Sequence, residues 1–387
     1  MTHPHDESPD LSGLSSAHRS LLKSFLEGKR GALARSISVV ENERTGFQPL
    51  MDALLRVGRS GGSRAGITGP PGAGKSTLVA ALARRCREEG SEVGVVAVDP
   101  TSPFSGGALL GDRIRMNDIA TDPGIFIRSM ASRGSLGGLA TTTKEVLDVM
   151  DAFGFPRLLV ETVGVGQAEL EITGATDSVV VVLVPESGDG VQAMKAGLME
   201  VADIFVVNKS DRPGADRLVK EIRLALQLRQ GEGRKNVPAH HGVEASKVGE
   251  EPGRGKGEDG SRERAEEEKG EGADQWKVPI VSTVAQSGEG VPDLLQALDD
   301  HREYLIRSGE LQRRLRERAR RRVRDVVDRE ARRLIHLGIK GSRTLEAALD
   351  DIVDRKATPY TAARQVLEEL GMDEGAERLP ETEEMGL

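Results

Sequence analysis

The segment from Gly69 to Ser76 constrains the fold of this 387-residue chain more than any other. It reads Gly-Pro-Pro-Gly-Ala-Gly-Lys-Ser, follows the apolar residues 65–67 and precedes a helix-forming run at 77–83. A strand, a glycine-rich turn and a helix in this order cradle phosphate, because successive backbone N–H groups and the helix N-terminus converge on one anion. The segment therefore predicts an α/β fold and a site for a nucleoside triphosphate.

Short apolar runs continue after this loop and alternate with helix-forming stretches. They lie at 93–98, 158–160, 179–184, 204–207 and 280–281. Buried strands of a parallel sheet read as continuous apolar runs because helices cover both faces. We therefore predict a doubly wound, mostly parallel α/β core at 61–305, with a helical extension at 15–60 before it and a helical arm at 306–387 after it.

Two segments have the composition of disordered chain. Residues 1–14 are polar, and residues from about 229 to 274 consist mainly of Gly, Glu, Lys and Arg. Segments with so few large apolar side chains cannot bury enough surface to offset the entropy of ordering. We predict a disordered N-terminus and a disordered insertion that leaves the site intact.

The arm at 306–387 is predicted to contain three helices. From Leu311 onward, apolar residues recur on one face of a helix otherwise rich in Arg and Glu. The apolar stripe and the interleaved acids favour packing or dimerisation over nucleic-acid binding. In the third helix Thr358 can cap the N-terminus and Pro359 can occupy the first turn.

Composition and charge narrow the function classes. The net charge of −8 and a pI near 5.6 argue against a general nucleic-acid binder, which needs a basic surface. The single cysteine, Cys86, cannot form an internal disulfide, so a reducing compartment fits. The longest apolar run is far shorter than the roughly 20 residues that span a bilayer, and no signal or transit peptide is visible. We expect a cytoplasmic protein with no membrane and no nucleic-acid partner.

The glycine-rich loop has predicted roles at the phosphates. Lys75 is expected to neutralise the β- and γ-phosphates, as one of the catalytic residues. Ser76 is expected to offer its hydroxyl to Mg²⁺, which prefers oxygen ligands and arrives with nucleotide phosphates. The predicted phosphate-binding residues of the loop are Gly69, Pro70, Gly72, Ala73, Gly74, Lys75, Ser76 and Thr77.

A second motif, Asn208-Lys209-Ser210-Asp211, follows the apolar run at 204–207 and therefore lies where a parallel strand delivers side chains to a ligand. The Asp211 carboxylate can accept hydrogen bonds from the ring N–H and the exocyclic amino group of guanine, whereas adenine offers no matching pair of donors. Asn208 can hold the other edge of the purine, and Lys209 can lie over its plane. Together with the phosphate loop, this motif predicts GTP rather than ATP.

Acidic residues at strand ends supply candidate ligands for the metal. Glu161 ends the run at 158–160 and is followed by Gly164 in the string Glu-Thr-Val-Gly. Glu161 can hold the Mg²⁺ shell through water, and the Gly164 N–H can approach the γ-phosphate. Asp99 and Asp112 are predicted to add further oxygens to the metal shell, and the less favoured alternative for each is a cap or a solvated carboxylate of a loop.

Three longer strings carry a family resemblance. They are Val-Asp-Pro-Thr-Ser-Pro-Phe-Ser-Gly-Gly-Ala-Leu-Leu-Gly-Asp-Arg at 98–113, Glu-Thr-Val-Gly-Val-Gly-Gln at 161–167 and Gly-Asp-Gly-Val-Gln-Ala-Met-Lys-Ala-Gly at 188–197. With these strings the chain resembles the methylmalonyl-CoA mutase-associated GTPases, MeaB, whose older label was a transport ATPase for lysine, arginine and ornithine. The resemblance covers about 21–228 and resumes at Trp276.

The resemblance implies a Mg²⁺-dependent GTPase that acts as a chaperone of an adenosylcobalamin-dependent acyl-CoA mutase, above all methylmalonyl-CoA mutase. Such proteins gate cofactor loading and protect or reactivate the mutase, form homodimers, and hydrolyse GTP slowly until the partner stimulates them. Gln192 and Lys195 match the residues that swing toward the nucleotide, and Ser282, Thr283 and Val284 match the second guanine loop. The chain departs from the family string at Glu186, where a glycine is expected soon after Pro185.

Other functions remain open from sequence alone. A metallochaperone-type GTPase for metal-centre assembly shares the phosphate-loop layout, but such proteins carry a histidine tract or paired cysteines, and this chain has one cysteine. A transport-linked kinase is a second alternative, suggested by the older family label. A binding module without turnover is a third.

Overall fold

The computed structural model describes residues 13–59, 61–99, 116–131, 141–162, 171–186, 197–229 and 275–371. The chain forms two compact units, Met1–Leu315 and Arg316–Leu387. The segments predicted to be disordered, 1–14 and about 229–274, lie almost wholly outside the described residues. Among the helices that are described, none combines the length and the apolar character that a membrane span requires.

A parallel sheet forms the centre of the first unit. Its seven described strands are β1 (Ser63–Thr68), β2 (Val93–Asp99), β3 (Ile125–Ala131), β4 (Arg157–Glu161), β5 (Ser178–Leu183), β6 (Ile204–Asn208) and β7 (Ile280–Thr283). They lie in the order β3-β2-β4-β1-β5-β6-β7, and every pairing between them is parallel. The predicted doubly wound α/β fold is confirmed.

Helices flank this sheet and form the second unit. The described helices are α1 (Ser16–Leu26), α2 (Arg30–Glu41), α3 (Phe47–Val57), α4 (Lys75–Glu88), α5 (Asn117–Ala120), α6 (Thr141–Phe153), α7 (Leu198–Val201), α8 (Ala215–Arg229), α9 (Val291–Arg307), α10 (Glu310–Gly341), α11 (Arg343–Val353) and α12 (Pro359–Glu369). A 3-10 turn spans Ile172–Gly174. The unit boundary at Leu315 falls inside α10.

Alternation along the strands directs apolar side chains to two faces. In β5, Val180 and Val182 join the buried cluster that contains Leu78 of α4 and Leu294 of α9. Val181, between them, joins the cluster on the opposite face, where α6 and the N-terminal helices pack. Each such buried aliphatic side chain contributes about 1.5–3 kcal/mol, so both layers hold the sheet in place.

The N-terminal helices share a core with the sheet. Helices α2 and α3 contact α6, and the ring of Phe25 in α1 stands edge-on to Phe153 with centroids 5.1 Å apart. Leu14 is also buried in this cluster. The predicted helical extension at 15–60 is therefore packed as part of the first unit.

The sequence did not predict strand β3, whereas it did predict where α12 begins. The β3 sequence, Ile-Phe-Ile-Arg-Ser-Met-Ala, lacks the continuous apolar run of the other strands because it lies at the edge of the sheet. At α12 the Thr358 hydroxyl accepts a hydrogen bond from the Thr361 N–H at 3.2 Å, and Pro359 occupies the first turn. The local cap signal is thus confirmed in the second unit.

Candidate nucleotide-binding site

The loop between β1 and α4 requires glycine at two positions. Gly69 has φ +135°, and a Cβ there would lie 2.1 Å from the carbonyl oxygen of Val182. Gly74 has φ +84°, and a Cβ there would lie 2.5 Å from Nδ2 of Asn208. Any larger side chain would push the loop away from β5 and β6, so these two glycines hold it against the carboxyl edge of the sheet.

Lys75, the first residue of α4, folds back over the loop that precedes it. Its side chain is buried, and Nζ donates hydrogen bonds to the carbonyl oxygens of Gly69 at 2.8 Å and Pro70 at 3.1 Å. A cation beside the N-terminus of a helix creates a strong attraction for an anion. The loop carbonyls are neutral acceptors, which a phosphate oxygen can replace without leaving a charge unpaired.

Ser76 and Glu161, two of the residues predicted to join the metal shell, meet at the same edge, and their role at a metal stays a prediction. The register pairs Glu161 of β4 with Ile67 of β1, next to the start of the loop. Both side chains are buried, and the Ser76 hydroxyl donates to Glu161 Oε1 at 2.6 Å. A hydroxyl and a carboxylate held together are the oxygen donors that Mg²⁺ prefers.

A pair of threonines beside this contact was missed by sequence reasoning. Thr162 follows β4, and its buried hydroxyl donates to the Thr68 hydroxyl at 2.9 Å. The contact joins the ends of β1 and β4 immediately below the loop. No motif marks these residues, because the two threonines are far apart in the sequence. They come into contact only because β1 and β4 pair in this register.

Asn208, at the end of β6, binds two protein segments through its amide. Its Nδ2 donates to the carbonyl of Ala73 at 2.8 Å, and its Oδ1 accepts from the Thr283 hydroxyl and the Ala285 N–H, both at 3.1 Å. The side chain therefore ties the phosphate loop to the loop after β7. Its predicted contact with the purine stays a prediction.

Lys209 adopts a backbone conformation that lysine rarely adopts, with φ +56°. Its Nζ donates to the carbonyl of Gly72 at 2.9 Å, so the side chain lies across the mouth of the phosphate loop. This position is compatible with the predicted place over the plane of a base. The left-handed backbone at Lys209 forms part of a turn, and Asp211, two residues later, is exposed.

The segment 282–285 lies beside this turn. Ser210 N–H donates to the Thr283 carbonyl at 3.0 Å, and Val284 pairs with Glu289 in an isolated antiparallel bridge. Thr283 and Ala285 are buried, whereas Ser282 is exposed. The structure thus brings the predicted Ser282, Thr283 and Val284 next to the guanine motif, and it adds Ala285 through its N–H bond to Asn208.

Comparison with known families decides which family this geometry belongs to. The model of the methylmalonyl Co-A mutase-associated GTPase MeaB family matches residues 33–336. This chain belongs to the MeaB family. The predicted family is confirmed, and the chain is a P-loop GTPase.

Known relatives of this MeaB-family chain match between about half and nine tenths of its length. A Pyrococcus abyssi protein, provisionally named a GTPase, is 41% identical over 350 residues, which cover 90% of this chain and 96% of the relative. The mouse protein named methylmalonic aciduria type A homolog, mitochondrial, is 32% identical over 75% of this chain and 64% of its own length. Escherichia coli GTPase ArgK is 42% identical over 49% of this chain and 58% of its own length.

A solved structure shares the fold. The crystal structure of a LAO/AO transport system kinase matches with a TM-score of 0.58 at 24% identity, covering 92% of this chain and 99% of that chain. At this level of identity the likeness shows a common architecture and nothing about the ligand.

Several predicted site residues of this MeaB-family chain lie outside the described residues. They are Asp112, Gly164, Gln192 and Lys195. Asp99 ends β2 at the carboxyl edge, but its side chain is also outside the description. The roles of these five residues stay predictions.

Glu186, where the chain departs from the MeaB string, pairs with Arg212. Arg212 Nη1 donates to both carboxylate oxygens of Glu186. This hydrogen bond holds the pKa of Glu186 below its ordinary value, and it raises the pKa of Arg212. The pair joins the residues after β5 to the turn that carries Asp211.

The amino edge of the same sheet carries a buried array of Ser178, His301 and Asp203. The Ser178 hydroxyl lies 2.7 Å from His301 Nδ1, and His301 Nε2 lies 3.3 Å from Asp203 Oδ1. All three are buried, and the adjoining cavity at Ser178 measures only about 10 Å³. A cavity of this size has room for about one water molecule, and the contacts of the array join β5, α9 and the residue before β6.

Arg314 completes this array from α10. Its guanidinium donates to both oxygens of Asp203 at 2.9 and 3.0 Å, and the Val179 N–H adds a bond to Oδ2 at 2.8 Å. Burial of Asp203 opposes its ionisation, but hydrogen bonds from His301 and Arg314 outweigh burial and hold its pKa below the ordinary value. The amino edge is thus closed by fixed ion pairs.

Proposed function

We propose that this chain is a Mg²⁺-dependent GTP hydrolase that acts as a chaperone of an adenosylcobalamin-dependent acyl-CoA mutase, above all methylmalonyl-CoA mutase. It would gate loading of the cofactor and protect or reactivate the mutase. The observation that carries the proposal is the match of the MeaB family model over residues 33–336, placed on a sheet edge with an intact phosphate loop.

The phosphates of GTP would bind over the loop that begins at Gly69. Lys75 would exchange its bonds to the Gly69 and Pro70 carbonyls for bonds to the β- and γ-phosphates, so a neutral acceptor is replaced by an anionic one. The N–H groups at the start of α4 add their partial positive charge. This exchange supports tight binding at small structural cost.

Ser76 and Glu161 would hold Mg²⁺, with Asp99 and Asp112 as further proposed members of its shell. The 2.6 Å contact between the hydroxyl and the carboxylate shows that both oxygens already share one small space. When bound, the ion would neutralise charge on the β- and γ-phosphates. Replacement of Glu161 by Gln should raise the Mg²⁺ concentration that gives half-maximal GTP turnover, with little change in metal-free GDP binding.

Guanine selection would rest on Asp211. Its exposed carboxylate follows a turn held by Asn208 and Lys209, and it is the acceptor that guanine can satisfy with two donors. Asn208 would act mainly by positioning, since its amide links the phosphate loop to the 282–285 segment. Asp211→Asn should lower GDP affinity by at least about 100-fold, because the bidentate charged acceptor is lost.

Hydrolysis would be slow in the isolated chain and faster with the mutase. Lys195 would offset negative charge that develops on the transferred phosphoryl group, and Gln192 would assist it. Both assignments rest on the match of the 188–197 string to the family. The chain departs from the family string at Glu186, just before these residues in the sequence, and Glu186 is paired with Arg212.

The partner assignment is tested by GTP turnover in the presence of purified methylmalonyl-CoA mutase loaded with adenosylcobalamin. The mutase should raise turnover of the wild-type chain, and Lys195→Ala should return the rate to near its basal value without weakening GDP binding. Lys220→Ala, at an exposed position on α8, serves as the matched control and should respond like the wild type. If no adenosylcobalamin-dependent mutase changes turnover or co-purifies, the chaperone function is wrong.

A homodimer built from the C-terminal arm is also proposed. In the second unit large apolar side chains are exposed, with 65% exposure at Val323, 58% at Val327 and 81% at Val353. Such exposure over one helical arm favours burial against a second copy. Light scattering of the full chain should give twice the chain mass, and Val323→Glu with Val327→Glu should shift it toward the monomer.

A further inference from the structure

The pair of Glu186 and Arg212 lies beside the residue that reads the base. Arg212 follows Asp211 directly in the chain, and its N–H donates to the Lys209 carbonyl at 3.0 Å, which closes the turn. Both charged groups of the pair are partly exposed, at 43% for Arg212 and 51% for Glu186. The pair is therefore at the surface, next to the guanine loop and outside the phosphate loop.

The backbone on both sides of the pair is fixed. Pro185 packs close to Gly214, whose Cβ position would lie 3.7 Å from the Pro185 Cβ. The Ser210 N–H is bonded to the Thr283 carbonyl. These contacts hold the backbone near both members of the pair, and the described partner of the Arg212 guanidinium is Glu186.

Without Glu186, the Arg212 guanidinium would have the neighbouring Asp211 carboxylate as an alternative partner. A guanidinium forms strong bidentate pairs with carboxylates, the same oxygens that must accept the two guanine donors. The negative charge of Asp211 also contributes to the raised pKa of Arg212, after the larger contribution of Glu186. The charge of Asp211 therefore attracts the Arg212 guanidinium even while this group is bonded to Glu186.

We propose that Glu186 is a positioning residue for guanine recognition, which holds the Arg212 guanidinium away from Asp211 so that this carboxylate stays open to the base. The inference rests on the proposed role of Asp211 in reading guanine. An exposed ion pair contributes at most about 1 kcal/mol, so its removal should change affinity by about three- to fivefold. It assigns a role to Glu186 in the segment where the chain departs from the family string, which is expected to have a glycine soon after Pro185.

The test is a double-mutant cycle measured by GDP binding. Glu186→Gln should weaken GDP binding by about three- to fivefold, because Arg212 is released onto Asp211. Arg212→Gln should stay within twofold of the wild type, and Glu186→Gln combined with Arg212→Gln should return to that level. Inosine diphosphate lacks the exocyclic amino group, so the Glu186→Gln substitution should weaken its binding less than it weakens the binding of GDP.

A matched control is the exposed pair of Arg217 and Glu221 on α8, with a distance of 2.8 Å. Glu221→Gln removes the same chemistry away from the base-reading turn and should leave GDP binding unchanged. If Glu186→Gln binds GDP like the wild type, or if the double variant stays as weak as Glu186→Gln, the positioning role is overturned. The Asp211→Asn variant distinguishes a failure of the positioning role from a failure of the proposed function. If GDP affinity is unchanged in that variant, Asp211 does not bind guanine.

Discussion

The two edges of one parallel sheet carry polar groups of opposite character. At the amino edge Asp203 is bonded to Arg314 in α10 and to the Val179 N–H, and its neighbours Ser178 and His301 are buried. At the carboxyl edge the cation of Lys75 is bonded to backbone carbonyls of its own loop, and Asp211 is exposed. At the amino edge a buried carboxylate is thus bonded to a charged side chain, and at the carboxyl edge a buried cation is bonded to backbone carbonyls.

This difference follows from what each edge does. A buried ion pair that loses one member leaves an uncompensated charge and costs several kcal/mol, so its partners stay fixed. A cation held by neutral carbonyls can exchange them for phosphate oxygens with a gain in electrostatic energy. Binding groups and stabilising groups can therefore be told apart by the nature of their described partners.

The largest expected effect is at the carboxyl edge. Lys75→Ala should abolish measurable GTP turnover, with a loss of about 100- to 1000-fold, because a buried cation at the transferred phosphate is removed. Multiple-turnover phosphate release under saturating GTP is the measurement.

Lys220→Ala is the matched control for this substitution, because that lysine is exposed on α8. Thermal unfolding should stay within a few degrees of the wild type for both variants. Turnover of Lys75→Ala above a tenth of the wild-type rate would contradict the assignment of this lysine to the phosphates.

The next effect is on stability and belongs to the amino edge. Asp203→Ala removes the acceptor of Arg314 and of the Val179 N–H, so unfolding free energy should fall by about 3–5 kcal/mol. Urea unfolding at neutral pH measures the change. GDP affinity of the folded fraction should be unchanged. If the variant keeps its stability but binds GDP much more weakly, the amino edge takes part in binding and the proposed difference between the two edges is wrong.

The pH dependence of the unfolding free energy tests the contribution of Asp203 to the amino edge. The ordinary pKa of Asp203 is 3.8 and its pKa in the folded protein is lower, so its contribution to stability is complete above that value and is lost as pH falls below it. Unfolding free energy of the wild type should therefore fall below about pH 4. The Asp203→Asn variant should have a lower unfolding free energy at neutral pH, and this free energy should change less with pH below about pH 4. Parallel profiles would mean that Asp203 titrates normally.

Cys86 reports whether the amino edge stays closed. It is buried on α4 beside the cavity of about 10 Å³ that also touches Ser178, and burial raises its pKa to about 11. At pH 8 the thiolate fraction is then about 100-fold lower than for an ordinary thiol. Alkylation followed by mass spectrometry should show almost no native labelling and full labelling in concentrated urea. Rapid native labelling would show that this edge opens.

The motifs at the carboxyl edge could be located from the sequence because each is a short continuous segment, although the roles of their residues stay predictions. The eight residues from Gly69 to Ser76 and the four from Asn208 to Asp211 are each continuous in sequence, and the structure places them at the ends of β1 and β6, which have β5 between them. Asn208 is the informative exception, since the predicted contact was with the base and the described contacts are with Ala73, Thr283 and Ala285. A motif identifies the residue but not the partner of each atom.

The amino edge could not be predicted, because its partners are distant in sequence. Asp203 and Arg314 are separated by 111 positions, and Ser178 and His301 by 123. No spacing rule links residues so far apart before the strand order is known. The edge strand β3 was missed for a related reason, since Arg128 interrupts the apolar run that marks a buried strand.

The smallest effect concerns residues 230–274, which lie between two anchors at the amino edge. Arg229 donates to the carbonyls of Met199 and Glu200, and the Trp276 indole donates to the Asp203 carbonyl at 2.8 Å. Replacing 230–274 by eight Gly and Ser residues should raise unfolding free energy by about 1 kcal/mol, because a shorter loop costs less entropy to close. GDP affinity should stay within twofold, since both anchors lie at the edge opposite the phosphate loop. A tenfold weaker GDP affinity in this variant would mean that the two edges are coupled through the insertion.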